Sequence, residues 1–414
     1  MKGTWSRVAL ISLGGFFEFY DLFFTGYIAP VLVRSGILTP TTPGLFGTTG
    51  IAGFVAAMFA GLFVGTALVS FVADRFGRRV IFTYSLLWYT VASLIMAFQH
   101  EVFGLDLWRF ISGIGVGVEL VTIDTYLSEL VPANLRGRAF AINQAIQFCA
   151  VPVVALLAWL LVPRAPLGLD GWRWVVLLGA AGAILVWWIR LRVPESPRWL
   201  AEHARGKENV ATQGSFAAMW RPPYRTRSIM LVIFNLFQTV GFYGFSNWVP
   251  TLLIKRGIAI TSSLEYTFII AIAAPFGPFL AAAIADQLER KWQIVASAAV
   301  IAVSGILFGQ MTAAALLIFF GVLLTLANNI LSFSCHAYQA ELYPTRIRAL
   351  AVGFVYSFSR ISVVFSSFVI GFFLDRFGVA GVFALIAGSM LMVMLAIGLL
   401  GPRTNNLALE TISQ

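Results

Sequence analysis

Twelve apolar stretches separated by shorter polar ones account for most of the chain. To within a few residues they fall at 8–33, 45–72, 80–98, 107–131, 139–162 and 172–192, and resume at 228–254, 264–285, 292–309, 313–337, 349–373 and 379–401. Each is close to the roughly 20 residues an α-helix needs to cross the hydrocarbon of a bilayer. Barrel strands alternate over about ten residues instead of running apolar for twenty, so a transmembrane barrel is excluded. The pattern predicts an all-α membrane protein with twelve transmembrane helices. The first stretch is too long and too acidic for a cleaved signal peptide, so Met1–Val33 is expected to be retained.

The polar intervals carry an internal repeat. Asp74 opens DRFGRR after the second stretch and Asp286 opens DQLERK after the eighth, 212 residues later. Glu129 opens ELVPANLR after the fourth stretch and Glu341 opens ELYPTRIR after the tenth, at the same spacing of 212, and Arg136 and Arg348 repeat it again. Three coincidences at one offset predict two six-helix halves in the same orientation, the organisation in which a midplane site opens to each side in turn. The expected division is 1–192, a cytoplasmic connector at 193–227, and 228–414 with a short cytoplasmic tail. The connector, with PESPRWLAEHARGKE and MWRPPYRTR, is too short for a folded domain, and one or two surface helices are expected there.

Composition agrees: 59% of residues are hydrophobic and 11% charged, against about 25% charged in soluble domains. The net charge of +10 does not point to nucleic acid. With both termini cytoplasmic, 20 of the 28 Lys and Arg fall in cytoplasmic segments, 7 in outer ones (Arg34, Arg109, Arg164, Arg173, Lys255, Arg256 and Arg376), and Arg360 within a helix. This is the positive-inside bias, a matter of topology. Cys149 and Cys335 lie within helices and suggest no disulfide or metal site. No Walker loop, metal cluster or nucleophilic triad is present, so neither an ATP-driven pump nor an enzyme is expected, and no cofactor. The expected partners are a small-molecule substrate, protons and the bilayer of a cell inner membrane, with the protein a monomer.

Five ionisable residues lie inside the apolar stretches: Glu18, Asp21, Glu119, Asp124 and Arg360. A charge near the bilayer centre costs roughly 2.5–3.5 kcal/mol on insertion scales, so these side chains are expected to face the protein interior. Glu18 and Asp21 are three residues apart and share a helix face. A carboxyl group that can be neutralised there can bind a proton on one side and release it on the other. The alternative for both is a fixed ion pair that only holds helices together. Glu119 and Asp124 are about 500° of helical rotation apart and do not form one pair. Both are further proton-coupling candidates, with structural pairing as the alternative: Glu119 is placed centrally, and Asp124 nearer the cytoplasmic end, where it can join a gate. Arg360 offers a permanently charged, planar fork, either to a substrate carboxylate or to Glu18 or Asp21. Neutral candidates for the substrate are Gln144, Gln147, Asn235, Gln238, Tyr243, Asn247, Trp248, Asn328, Asn329 and Ser332, some of which are expected only to bridge helices. The third, sixth, ninth and twelfth stretches carry no charge in their apolar cores and are expected at the lipid-facing periphery.

DRFGRR in its loop, the weaker DQLERK and the duplicated twelve-helix plan resemble the major facilitator superfamily across essentially the whole chain. RFISGIGVGVE, SELVPANLRGR and PESPRWL resemble its sugar-porter branch and organic-anion relatives. The resemblance implies cytoplasmic networks that latch the outward-facing state, carried here by Asp74, Arg78, Glu129, Arg136 and Arg138, with the repeat partners Asp286, Glu341 and Arg348. It also implies that Asp21 is the first choice of proton carrier. Two departures stand out: Phe237-Gln238 replaces the sugar porters' adjacent glutamines, and SFSCHAYQAELYP lacks their glycine-proline-tryptophan signature. GFYGFSNWVPTLL and the arginine in YSFSRISVV are more similar to metabolite and aromatic-acid proton symporters. The expectation is proton-coupled symport of a small organic acid or anionic metabolite. The alternatives are a proton-coupled sugar or polyol symporter, a drug/proton antiporter, and a sensor that binds without transporting.

Overall fold

Every apolar stretch within the described residues is helical. A helix pairs its own backbone donors and acceptors, which lipid cannot do. The computed structural model describes residues 2–76, 78–131, 136–191, 216–284 and 288–404. The helices are α1 (Lys2–Arg34), α2 (Gly50–Phe76), α3 (Arg78–Ala97), α4 (Val102–Leu130), α5 (Arg136–Phe148), α6 (Ala150–Leu161), α7 (Gly171–Arg190), α8 (Tyr224–Ser246), α9 (Val249–Lys255), α10 (Ile260–Ala271), α11 (Phe276–Ile284), α12 (Arg290–Gln310), α13 (Ala314–Glu341) and α14 (Thr345–Leu400). Nine stretches among the described residues are long and apolar enough to span a membrane.

Several apolar stretches are interrupted where their sequence demands it. The seventh breaks at Asn247-Trp248, with Pro250 at the start of α9, where a missing N–H is tolerated. The eighth breaks between Ala271 and Phe276, beside Pro275 and Pro278, which cannot donate to the helix ladder. The eleventh and twelfth run together as α14 and turn at Gly378, whose φ of 67° is a left-handed value that glycine adopts without a Cβ penalty.

The chain forms two compact units, Met1–Gly206 with Asn247–Pro275, and Lys207–Ser246 with Phe276–Gln414. In the first, α1 packs against α4, α5, α6 and α7; α3 lies between α4 and α7; α9 lies on α1 and α10 on α6. In the second, α14 packs on α8 and α12, and α13 on α11 and α12.

The α2–α4 crossing fixes the depth of the site described below. A Cβ at Gly61 would strike the Phe110 carbonyl and one at Gly65 the Ile114 carbonyl, while Gly113 and Gly117 meet the carbonyls of Met58 and Leu62 in return. Two small-xxx-small pairs thus face each other and let the backbones touch. Gly65→Leu is expected to lower stability by about 1–3 kcal/mol, the usual range for overpacking, in thermal unfolding of the purified protein. Gly388→Ala, where an added methyl meets nothing within 4 Å, should leave it unchanged.

Candidate transport site

Helix α1 carries its two acids into the first unit, where both are buried. Asp21 is the better defined. Its Oδ1 accepts from Ser93 Oγ at 2.5 Å, and its Oδ2 from Ser112 Oγ at 2.8 Å and from the Arg109 guanidinium at 2.7 Å. Arg109 also donates to the Asp21 main-chain carbonyl and lies 4.3 Å from the centre of the Phe24 ring. One carboxylate is therefore held by a guanidinium and two hydroxyls, contributed by α3 and α4. Charge-assisted bonds of this kind are roughly twice as strong as neutral ones.

A second ion pair lies in the same unit. Glu119 Oε1 meets the Arg190 guanidinium at 2.5 Å, and both side chains are 0% exposed. Arg190 donates further to the Phe82 carbonyl at 2.9 Å and stacks 3.6 Å from the centre of that ring. Gly14 of α1 leaves room for the guanidinium, which a Cβ there would strike. A void lined by Asp21, Tyr89 and Ser93 lies among α1, α3 and α7.

In the second unit Arg360 is buried and approaches two tyrosines, Tyr356 Oη at 3.0 Å and Tyr243 Oη at 3.4 Å, with its guanidinium 4.9 Å from the centre of the Tyr356 ring. The His336 ring lies 5.3 Å from that of Tyr356. The result is a cation held among aromatic rings and phenolic hydroxyls.

The chain as a whole has counterparts among known proteins. The family model for sugar (and other) transporters matches residues 8–215, and that of the major facilitator superfamily matches residues 266–411. A Bacillus subtilis protein named for metabolite transport, YyaJ, is 30% identical, with 94% of this chain and 90% of that protein covered. This chain belongs to the major facilitator superfamily. The niacin transporter NiaP of Acinetobacter baylyi is 28% identical to this transporter over 99% of the chain and 97% of its own length. In solved structures the fold is that of a D-xylose–proton symporter (20% identity, TM-score 0.78, 96% of this chain and 98% of that one). A partially occluded, inward-open xylose transporter XylE from Escherichia coli is also similar (19% identity, TM-score 0.80, 99% and 100%). The protein is a multi-pass membrane transporter of the sugar and metabolite type.

Within the transporter, some expectations from sequence change. Arg109, counted with the outer segments, lies inside α4 as the partner of Asp21. That helix begins at Val102, five residues before its apolar stretch, so Arg109 sits about 10 Å along it. Asp21 accordingly takes a guanidinium from α4 of its own unit. Arg190, counted with the cytoplasmic connector, closes α7 and reaches inward to Glu119. The third and sixth stretches are therefore not purely peripheral, since they supply Ser93, Tyr89 and Arg190 to the charged interior.

The neutral candidates divide between the units. Gln147 is buried against Gly15, and Gln144 is half-buried. Asn247 and Trp248 are buried at the break before α9, and the Asn247 amide has no hydrogen-bond partner among the described residues. In the other unit Asn235 bonds to the Leu231 carbonyl at 2.8 Å and to Gln339 at 3.1 Å, so it bridges helices. Asn328 bonds back to the Leu324 carbonyl, Asn329 packs against Gly277, and Gln238 and Ser332 are half-buried.

Of the gating candidates, Glu341 pairs with Arg290. Arg290 stands 212 residues after Arg78, a fourth coincidence of the repeat, beyond the three noted from the sequence. Arg138 is exposed. The side chains of Asp74, Arg78, Glu129, Arg136, Asp286 and Arg348, and of the proton-coupling candidate Asp124, lie outside the described residues, as does most of the connector.

Proposed function

We propose that this transporter is an inner-membrane proton symporter that takes up a small organic acid or similar anionic metabolite by alternating access of its two halves, with both termini cytoplasmic. The observation that carries the reading is the buried Asp21–Arg109 pair. Ionised, the pair is neutral overall. A proton on Asp21 leaves the Arg109 charge uncompensated where water is scarce, a state costing several kcal/mol. An anion that enters with the proton restores neutrality. Proton and anion then favour each other's binding, which is the requirement for symport.

Arg360 among Tyr243, Tyr356 and His336 suits the anion. Its fork matches a carboxylate, and the surrounding rings suit a flat substrate. The niacin transporter among the relatives handles a molecule of that kind. The second reading, proton-coupled sugar or polyol symport, is supported by the match of residues 8–215 to the sugar transporter model and by the fold shared with xylose–proton symporters. Glu341–Arg290 and the equivalent charges of the first half are proposed as cytoplasmic latches that break and re-form with each cycle.

The test is proton entry into liposomes containing the purified protein, followed with a trapped pH dye. Small carboxylates, nicotinate first, are added in one arm and sugars in the other. A proton signal with carboxylates is expected, and Arg360→Lys, which keeps the charge but loses the fork, should lose most of it. A signal with sugars alone, or full activity in the lysine variant, would overturn the organic-acid reading.

A further inference from the structure

We propose that the Tyr89 hydroxyl passes a proton between the Asp21 and Glu119 carboxylates, joining the two buried ion pairs into one line. The step rests on the reading above that Asp21 carries the proton, with Glu119 as a second proton-coupling candidate, and goes beyond it by naming how the two communicate.

Tyr89 is 1% exposed, and its hydroxyl is buried with it. The charged groups around it come from three helices: Glu18 and Asp21 from α1, Glu119 from α4 and Arg190 from α7. On its own helix Tyr89 stands one turn from Ser93, on the same face, and Ser93 donates to Asp21. The void that Tyr89 lines with Asp21, Thr90 and Ser93 has room for about one water molecule. On its other side the Tyr89 hydroxyl interacts with the Glu119 carboxylate, whose Oε1 is taken by Arg190, leaving Oε2 for the proton. A buried hydroxyl facing a buried carboxylate on one side and a void shared with Asp21 on the other stands where a proton would have to pass. Tyr20 lines the same void, but its hydroxyl is spent on the Val175 carbonyl at 2.6 Å.

In the forward step a proton leaves Asp21 for the water in the void. That water gives one of its own protons to Tyr89 Oη as the phenolic proton moves to Glu119 Oε2. Each O–H bond broken is replaced by one formed, and neither water nor tyrosine keeps a charge. Asp21 re-pairs with Arg109, and Glu119 becomes neutral beside Arg190. Tyr89 acts as donor and acceptor at once and need never ionise.

The experiment is infrared difference spectroscopy of the lipid-embedded protein after a rapid acidification, with no transported substrate. The carboxyl C=O bands are assigned by their loss in Asp21→Asn and Glu119→Gln. Both bands should rise in the wild type. In Tyr89→Phe, which removes one oxygen, the Asp21 band should keep its rate while the Glu119 band slows by about tenfold or more, equivalent to about 1.4 kcal/mol on the barrier. Tyr20→Phe should change neither. Unchanged rates in Tyr89→Phe, or equal slowing of both bands, would overturn the relay. The wild type gives a second reading that needs no variant: in deuterium oxide the Glu119 band should slow more than the Asp21 band, and equal slowing counts against the proposal. Absence of the bands in the wild type would instead remove the proton-carrier assignment on which the relay rests. Failure of carboxylate uptake is a separate result, because no substrate is present here.

Discussion

Asp21→Asn is expected to abolish accumulation of substrate against its gradient while leaving substrate exchange across the membrane in place. Asparagine fills the same volume, and its amide oxygen can still accept from Ser93, Ser112 or Arg109, all within 2.8 Å of the aspartate oxygens. It cannot carry a proton. Exchange of labelled for unlabelled substrate needs no net proton movement and should persist, whereas uptake driven by a pH gradient should fall to background. Arg109→Met should lose both activities, and stability as well, because it leaves a buried carboxylate with two hydroxyls and no cation. Breaking a buried pair from one side costs about 3–5 kcal/mol. The loss should shrink on acidification, since a protonated Asp21 needs no counter-charge, and the double variant Asp21→Asn/Arg109→Met should recover most of it without recovering transport. Thermal unfolding and the two flux assays, run on the same preparations, separate these outcomes. Gradient-driven accumulation by Asp21→Asn at the wild-type rate would end the proposal that this carboxylate carries the proton.

The sequence shows most of the fold because the bilayer leaves few options. Twenty apolar residues must form a helix, and a repeat at one offset must place equivalent loops in equivalent places. The burial of Glu18, Asp21, Glu119 and Arg360 was legible for a related reason: an ionisable residue in the middle of an apolar run is expected to face the protein interior. Arg109 and Arg190 escaped because they stand near the ends of their runs, where an arginine reads as an interfacial anchor. Hydropathy locates the apolar run and not the helix, and α4 extends beyond its run far enough to bury Arg109. Arg190 is the last residue of α7 yet is fully buried, its long side chain reaching inward in the manner open to arginine and lysine stems. Tyr89 gave no signal at all. A tyrosine in VIFTYSLLWYTVASLIMAF looks like any other aromatic residue of a lipid-facing helix, and only its neighbours on three other helices make it conspicuous.

The breaks in the seventh and eighth stretches were foreshadowed by Pro250, Pro275 and Pro278, but proline inside membrane helices is often tolerated, so continuous helices were the natural expectation. What proline could not indicate is the consequence at Asn247, whose backbone comes so close to α1 that only a glycine fits at position 26. Contacts between elements distant in sequence fix that approach, and no local pattern encodes it.

The Glu119–Arg190 pair is where structural and functional roles are hardest to separate, and a charge-neutral double variant separates them. Glu119→Gln alone is expected to cost about 3–5 kcal/mol, because it strands a buried guanidinium whose other partners among the described residues are the Phe82 carbonyl and ring. Arg190→Lys keeps the charge but cannot reach Glu119 and the Phe82 carbonyl together, and should lose stability in the same direction. Glu119→Gln/Arg190→Met removes both charges and fills much of the same space with an apolar, flexible chain, so most of the stability should return, as it does when buried pairs are replaced by packed hydrophobic groups. If the pair were only a brace, that variant would accumulate substrate like the wild type. The Tyr89 relay requires the opposite: a stable protein that exchanges substrate across the membrane but no longer couples its uptake to a pH gradient. Restored stability together with restored accumulation would reduce Glu119 to a structural residue and take the relay with it.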